Sequence, residues 1–108
     1  MTEYIQIYTT TEKKDEAGMI AETVVKRRLA ACAQVVGPIT STYWWEGAIE
    51  EAEEWLCIMK SRKDLYDSLE KAILDVHSYD VPEIVAVPIV SGSRSYLQWL
   101  NNEVDIEH

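Results

Sequence analysis

The order of apolar periodicities along this 108-residue chain predicts an α+β domain built as β-α-β-β-α-β with one further helix at the end. Three observations carry the prediction. Near the two ends, the alternating segment Tyr4–Thr10 and the short apolar segment Glu83–Ile89 read as strands. Two stretches between them repeat apolar residues at helical spacing. The middle of the chain holds two long β-favouring arms, Ala33–Trp45 and Ala48–Lys60, joined only by Glu46-Gly47.

The first strand sets Ile5 and Ile7 on one face and Tyr4, Gln6 and Tyr8 on the other. A helix over Lys13–Ala31 follows, with a stripe of Ala17, Ile20, Ala21, Val24, Val25 and Leu29 and with Lys26-Arg27-Arg28 suiting its C-terminal end. Gly47 supplies the positive φ that a tight hairpin turn requires. Each arm has about a dozen residues and spans on the order of 40 Å at about 3.3 Å per residue. A domain of this length has a radius of gyration near ~13 Å, so the hairpin must overhang it. Its tip carries Trp44, Trp45 and nearby Trp55, a quantity of aromatic surface that calls for cover from another subunit.

Ser61-Arg62-Lys63-Asp64 has the spacing of a capping box, with Asp64 in the place of the usual Glu. It opens a second helix with Leu65, Leu69, Ala72, Ile73 and Val76 inward. Ser93 caps the last helix, which carries Tyr96, Leu97 and Leu100. This order is the ferredoxin-like split βαβ sandwich, read here as a single domain over residues 1–108. Its second and fourth strands lie at the sheet edges, and those are the strands that contain Pro38 and Pro88. Proline removes a ladder donor and is confined to edges and bulges, so its placement supports the topology independently. The last strand is apolar on both faces, which again calls for a second covering surface.

Ten basic against nineteen acidic residues give a net charge of −9. That opposes non-specific binding to nucleic acid or anionic membranes and is compatible with binding cations. The longest apolar run, Ile84–Val90, is too short to span a bilayer and is interrupted by Pro88. Met1 leads directly into Thr2-Glu3-Tyr4-Ile5 without a basic or apolar leader, and cytoplasmic residence is the expectation. Cys32 and Cys57 are far apart, with no CxxC pair or Cys-rich zinc pattern; both are expected as reduced thiols, and burial is the expected role of each. No Gly-rich phosphate loop, nucleophile elbow or His-Glu-x-x-His pattern occurs, so an enzyme is not expected.

Arg28-Leu29-Ala30-Ala31-Cys32, Tyr43-Trp44-Trp45-Glu46-Gly47, Glu50-Glu51, Ile58-Met59-Lys60-Ser61-Arg62, His77-Ser78-Tyr79-Asp80-Val81-Pro82-Glu83-Ile84 and Tyr96-Leu97-Gln98-Trp99-Leu100 resemble, in order and spacing, the CutA family of divalent-cation tolerance proteins. The resemblance runs over nearly the whole chain. It implies a homotrimer similar to PII signalling proteins, in which long hairpins wrap neighbouring subunits. It also implies a role in tolerance to divalent metals, with copper(II) binding the property most often attributed. Two departures stand out: Ala48 where the family usually has Lys, and His77-Ser78-Tyr79-Asp80 where it usually reads His-Pro-Tyr-Glu. The copper ligands proposed for some bacterial members, a strand Cys and two adjacent His, fall here on Tyr8, Val76 and His77.

His77 is therefore the candidate metal ligand, since imidazole suits copper(II) but useful affinity needs several donors. Its alternative reading is a helix C-terminal His interacting with the dipole. By resemblance, Trp45, Glu50, Lys60, Tyr79 and Glu83 gather in clefts between subunits, where they could hold a small anionic or polar ligand. The alternative is an interface network, with Lys60 paired to an acid and Tyr79 donating a hydrogen bond across the contact. Two function classes follow: a metal-binding tolerance trimer, and a PII-like regulatory trimer that senses a small molecule in those clefts.

Overall fold

The computed structural model describes residues 3–104. The strands are β1 (Tyr4–Thr11), β2 (Cys32–Trp45), β3 (Ala48–Arg62) and β4 (Ile84–Pro88); the helices are α1 (Lys14–Lys26), α2 (Tyr66–Val76) and α3 (Arg94–Glu103). One antiparallel sheet runs β2-β3-β1-β4, the order of the split βαβ pattern. Pro38 and Pro88 fall on edge strands, Pro38 where the β2–β3 register slips between Val36 and Ile39, and Pro88 at the end of β4.

Alternation along β1 sends Ile5, Ile7, Thr9 and Thr11 into the interior. Opposite them Cys57 and Met59 of β3 are fully buried, and Ala17, Ile20 and Val24 of α1 close over this face together with Leu69, Ala72 and Ile73 of α2. The second face carries Gln6, Tyr8, Ile58 and Lys60, with Val85 and Val87 of β4 still 45% and 40% exposed. At one end α3 packs against β3. Tyr96 Oη lies 3.5 Å from Cys32 Sγ, and Asn101 accepts a hydrogen bond from Arg62 at 3.1 Å. Ser93 caps α3 by accepting from the Tyr96 amide.

Two local expectations are corrected. Helix α1 ends at Lys26 rather than Ala31, because Arg28 adopts a left-handed φ of 60° and the Leu29 and Ala30 amides fold back onto the Val24 carbonyl. The apolar residues that extended the helical pattern are thus buried by a turn. The Ser61 capping box does not form. Ser61 Oγ instead donates to the Leu29 carbonyl at 2.6 Å, Asp64 pairs with Arg62, and a 3-10 turn over Lys63–Leu65 leads into α2.

The hairpin turns at Glu46 and Gly47 with φ of 50° and 84°, the positive pair of a type I′ turn. Strand β1 pairs with β3 only as far as Trp55, so among the described residues the arms beyond it have no third strand. The overhang stretches the chain to 45 Å along its long axis, with a radius of gyration of 14.5 Å. Trp44 at the tip is 72% exposed and stands opposite Ile49, 62% exposed. Trp55 is not a tip residue: it packs on the core at the hairpin's base, against Gly37.

That contact separates two glycines by their surroundings. A Cβ at Gly37 would lie 2.5 Å from Trp55 Cε3, whereas one at Gly18, inside α1, would meet nothing within 4 Å. Gly37→Ala is expected to destabilise by about 1–3 kcal/mol and Gly18→Ala to stabilise by about 0.5–1 kcal/mol, as read by denaturant unfolding.

Candidate functional site

The segment joining α2 to β4 is held by buried polar contacts. The His77 amide donates to Ile73 O, after which the backbone turns to an extended conformation and the His77 side chain is wholly enclosed. Its Nδ1 accepts from the Tyr79 amide at 3.1 Å, which places the ring proton on Nε2, 2.7 Å from the Thr10 carbonyl that it serves as donor. Glu16 of α1 accepts from the Ser78 amide at 2.8 Å and the Ser78 hydroxyl at 3.0 Å, with Oε2 3.6 Å from His77 Nδ1. The ring of Tyr79 packs beside that of His77, with centroids 4.9 Å apart.

So anchored, Tyr79 donates its hydroxyl to Glu54 Oε2 at 2.7 Å. Burial pushes the Tyr79 phenol well above the usual tyrosine range, and the hydrogen bond to Glu54 and that carboxylate's charge push it further. Glu54, only 7% exposed, stands on the same face of β3 as Leu56 and Ile58, where the sheet passes out of β1's cover.

Between the free part of the hairpin and residues 79–83 lies a cleft of about 610 Å³. Tyr43 and Trp45 line it from β2, Glu54 from β3 and Tyr79, Asp80 and Glu83 from the loop. Among the described residues three carboxylates and no Lys, Arg or His line it, so charge repulsion disfavours the anionic ligand that was one expectation.

Of the residues nominated from sequence, the chain thus brings Trp45, Tyr79 and Glu83 to one cleft, with His77 anchoring the loop. Glu50 sits near the hairpin tip opposite Tyr43. Lys60 is six residues along β3 from Glu54, about 20 Å at about 3.3 Å per residue, and its Nζ donates to Gln34 Oε1 at 2.6 Å rather than to an acid. Tyr8 faces away from the core and accepts from Gln6, while Val76 packs against the core. Both thiols are free; Cys32 is half-buried, and burial pushes Cys57 up to about 11. Glu54 was missed as one of many acids in an acidic chain. Its parity with Leu56 and Ile58 was the signal that set it apart.

Residues 5–103 match the family model described as CutA1 divalent ion tolerance protein. The chain belongs to that family. A chloroplastic protein CutA 1 of Oryza sativa is 41% identical over 98 residues, covering 91% of this chain and 55% of the relative. The crystal structure of CutA1 from Oryza sativa superposes with a TM-score of 0.93 at 38% identity, over 97% of this chain and 96% of that one. The CutA structure from Archaeoglobus fulgidus, described as periplasmic, gives 0.90 at 36% identity, over 93% and 97% of the two chains. The chain spans about half the length of the plant relatives it matches, 55% in rice and 54% in Arabidopsis thaliana. Both plant CutA proteins are chloroplastic, which with the periplasmic archaeal one overturns the expectation of cytoplasmic residence. Compartment varies among CutA proteins that share this domain.

The raised Tyr79 phenol gives a signed pH dependence. The folded state keeps its proton to higher pH than the unfolded chain, so its contribution is complete below the ordinary tyrosine value near ~10 and is lost as pH rises through the folded value. Tyr66 and Tyr96 are raised in the same direction. Tyr79→Phe is expected to lessen, without abolishing, the fall in melting temperature from pH 9 to pH 11.5, as followed by circular dichroism.

Proposed function

We propose that the chain acts in tolerance of divalent cations as a non-catalytic homotrimer, with the hairpin of each subunit laid on its neighbour. The observation that carries the reading is the overhanging ribbon, which exposes Trp44 and Ile49 on one face at its tip. The sheet's second face adds Val36, Val85 and Val87, each at least 40% exposed. A single chain leaves this apolar surface in water, and a second copy offers the same apolar surface to cover it. The family's description and the names of related proteins supply the connection to divalent cations.

Trp44→Ala combined with Ile49→Ala is expected to dissociate the assembly at micromolar concentration, since burying a Trp contributes roughly 3–5 kcal/mol. Analytical ultracentrifugation checks this, and a wild type that sediments as a stable monomer overturns the reading.

Copper(II) does not fit His77 as the residue is placed. Both ring nitrogens are engaged, and among the described residues no three His, Cys, Asp or Glu side chains converge to hold a metal ion. The role of His77 is to hold the loop. His77→Ala is expected to lower stability by about 1–3 kcal/mol while leaving the copper(II) affinity of the folded protein unchanged. Isothermal titration with copper(II) measures the second quantity; loss of binding in a folded His77→Ala protein would restore the imidazole as a ligand.

A further inference from the structure

We infer that the cleft between the hairpin and residues 79–83 binds a small organic cation, an ammonium or guanidinium group carried on an apolar stem. The inference goes beyond the trimeric metal-tolerance reading and does not depend on it. Four observations converge.

The cleft's volume, about 610 Å³, falls in the range of small-molecule sites. Its lining is one-signed in charge: Glu54, Asp80 and Glu83 contribute carboxylates, and among the described residues no cationic side chain lines it. Glu54 is largely withdrawn from water, at 7% exposure, and among the described residues it forms no ion pair. Its Oε2 is satisfied by Tyr79, and no hydrogen bond to its Oε1 occurs among the described residues. Oε1 is not among the buried side-chain atoms left without a partner, so it keeps contact with solvent and is open to a positive partner. The other walls combine the aromatic and aliphatic side chains of Tyr43, Trp45 and Val81 with the hydroxyl residues Thr10, Ser41 and Thr42.

Carboxylates beside aromatic side chains form a site for an organic cation, whose charge meets the acids while its stem and its electrostatic attraction to the rings meet the walls. A bare divalent ion makes no use of the aromatic surface, and it needs donors converging on one point, which no three acidic, His or Cys side chains do here among the described residues. An anion meets only repulsion.

The test is isothermal titration of the assembled wild-type protein with agmatine, which carries a guanidinium and an ammonium on one aliphatic stem. Pentanoate and magnesium chloride serve as the anionic and metallic comparators. Saturable agmatine binding is expected, with no heat from pentanoate. Glu54→Gln retains an acceptor for the Tyr79 hydroxyl and removes the charge; it is expected to weaken agmatine binding by on the order of tenfold or more. Should that variant fail to fold, Asp80→Asn with Glu83→Gln, both at exposed positions, carries the same expectation. The proposal is overturned if the wild type does not bind agmatine, if the folded charge-removed variants bind it equally well, if pentanoate binds as tightly, or if magnesium displaces agmatine mole for mole. Sedimentation of the same samples separates the two readings: an intact trimer without agmatine binding sinks only this one.

Discussion

A two-stranded ribbon in water is marginal at best, because each strand has one hydrogen-bonded neighbour and neither face has a core to bury. Past Trp55 the hairpin of this protein is such a ribbon, and the rest of the molecule is arranged around that constraint. Its base is clamped by the packing of Trp55 on the core and against Gly37. Its turn uses two residues at positive φ, so that its twist matches that of the arms. One stretch of the ribbon gains a wall from the loop after α2, which Glu16 and His77 fix in place. The remaining exposure, at Trp44 and Ile49, is the part a single chain leaves unsolved.

The loop solution is economical in chemistry. Thr10 at the end of β1 offers a carbonyl, the Tyr79 amide offers a donor, and one neutral imidazole serves both while remaining dry. The position of the Tyr79 hydroxyl follows from this, and with it the hydrogen bond to Glu54. Three segments far apart in sequence therefore meet through a chain of single hydrogen bonds, each adding a modest net stabilisation but costly to leave unmade in the interior.

Sheet order, both edge prolines, the apolar stripes and the Ser93 cap were legible in the sequence because each depends on period or on a local backbone rule. The end of α1 was not. Leu29 and Ala30 keep the apolar character of the preceding stripe, and only tertiary packing decides that they are buried by a turn instead of another helical turn. Ser61 likewise had the local pattern of a cap, but the Leu29 carbonyl, left without a helical partner by that same turn, took its hydroxyl. At the site, Trp45, Tyr79 and Glu83 were legible as a group by resemblance, whereas Glu54 and the buried state of His77 depend on contacts across 25 and 67 residues of sequence.

The alternation of the ribbon has a mechanical consequence. Trp45 and Trp44 are consecutive and so point to opposite sides of a layer one peptide thick, the first lining the cleft and the second standing at the exposed tip. Such a layer has no interior in which to absorb a displacement. A molecule that prises the cleft wider tilts the opposite side by the same angle, and a surface that grips the outer Trp draws the inner one with it. The ribbon is a lever with its fulcrum at Trp55, and its two faces cannot be loaded independently.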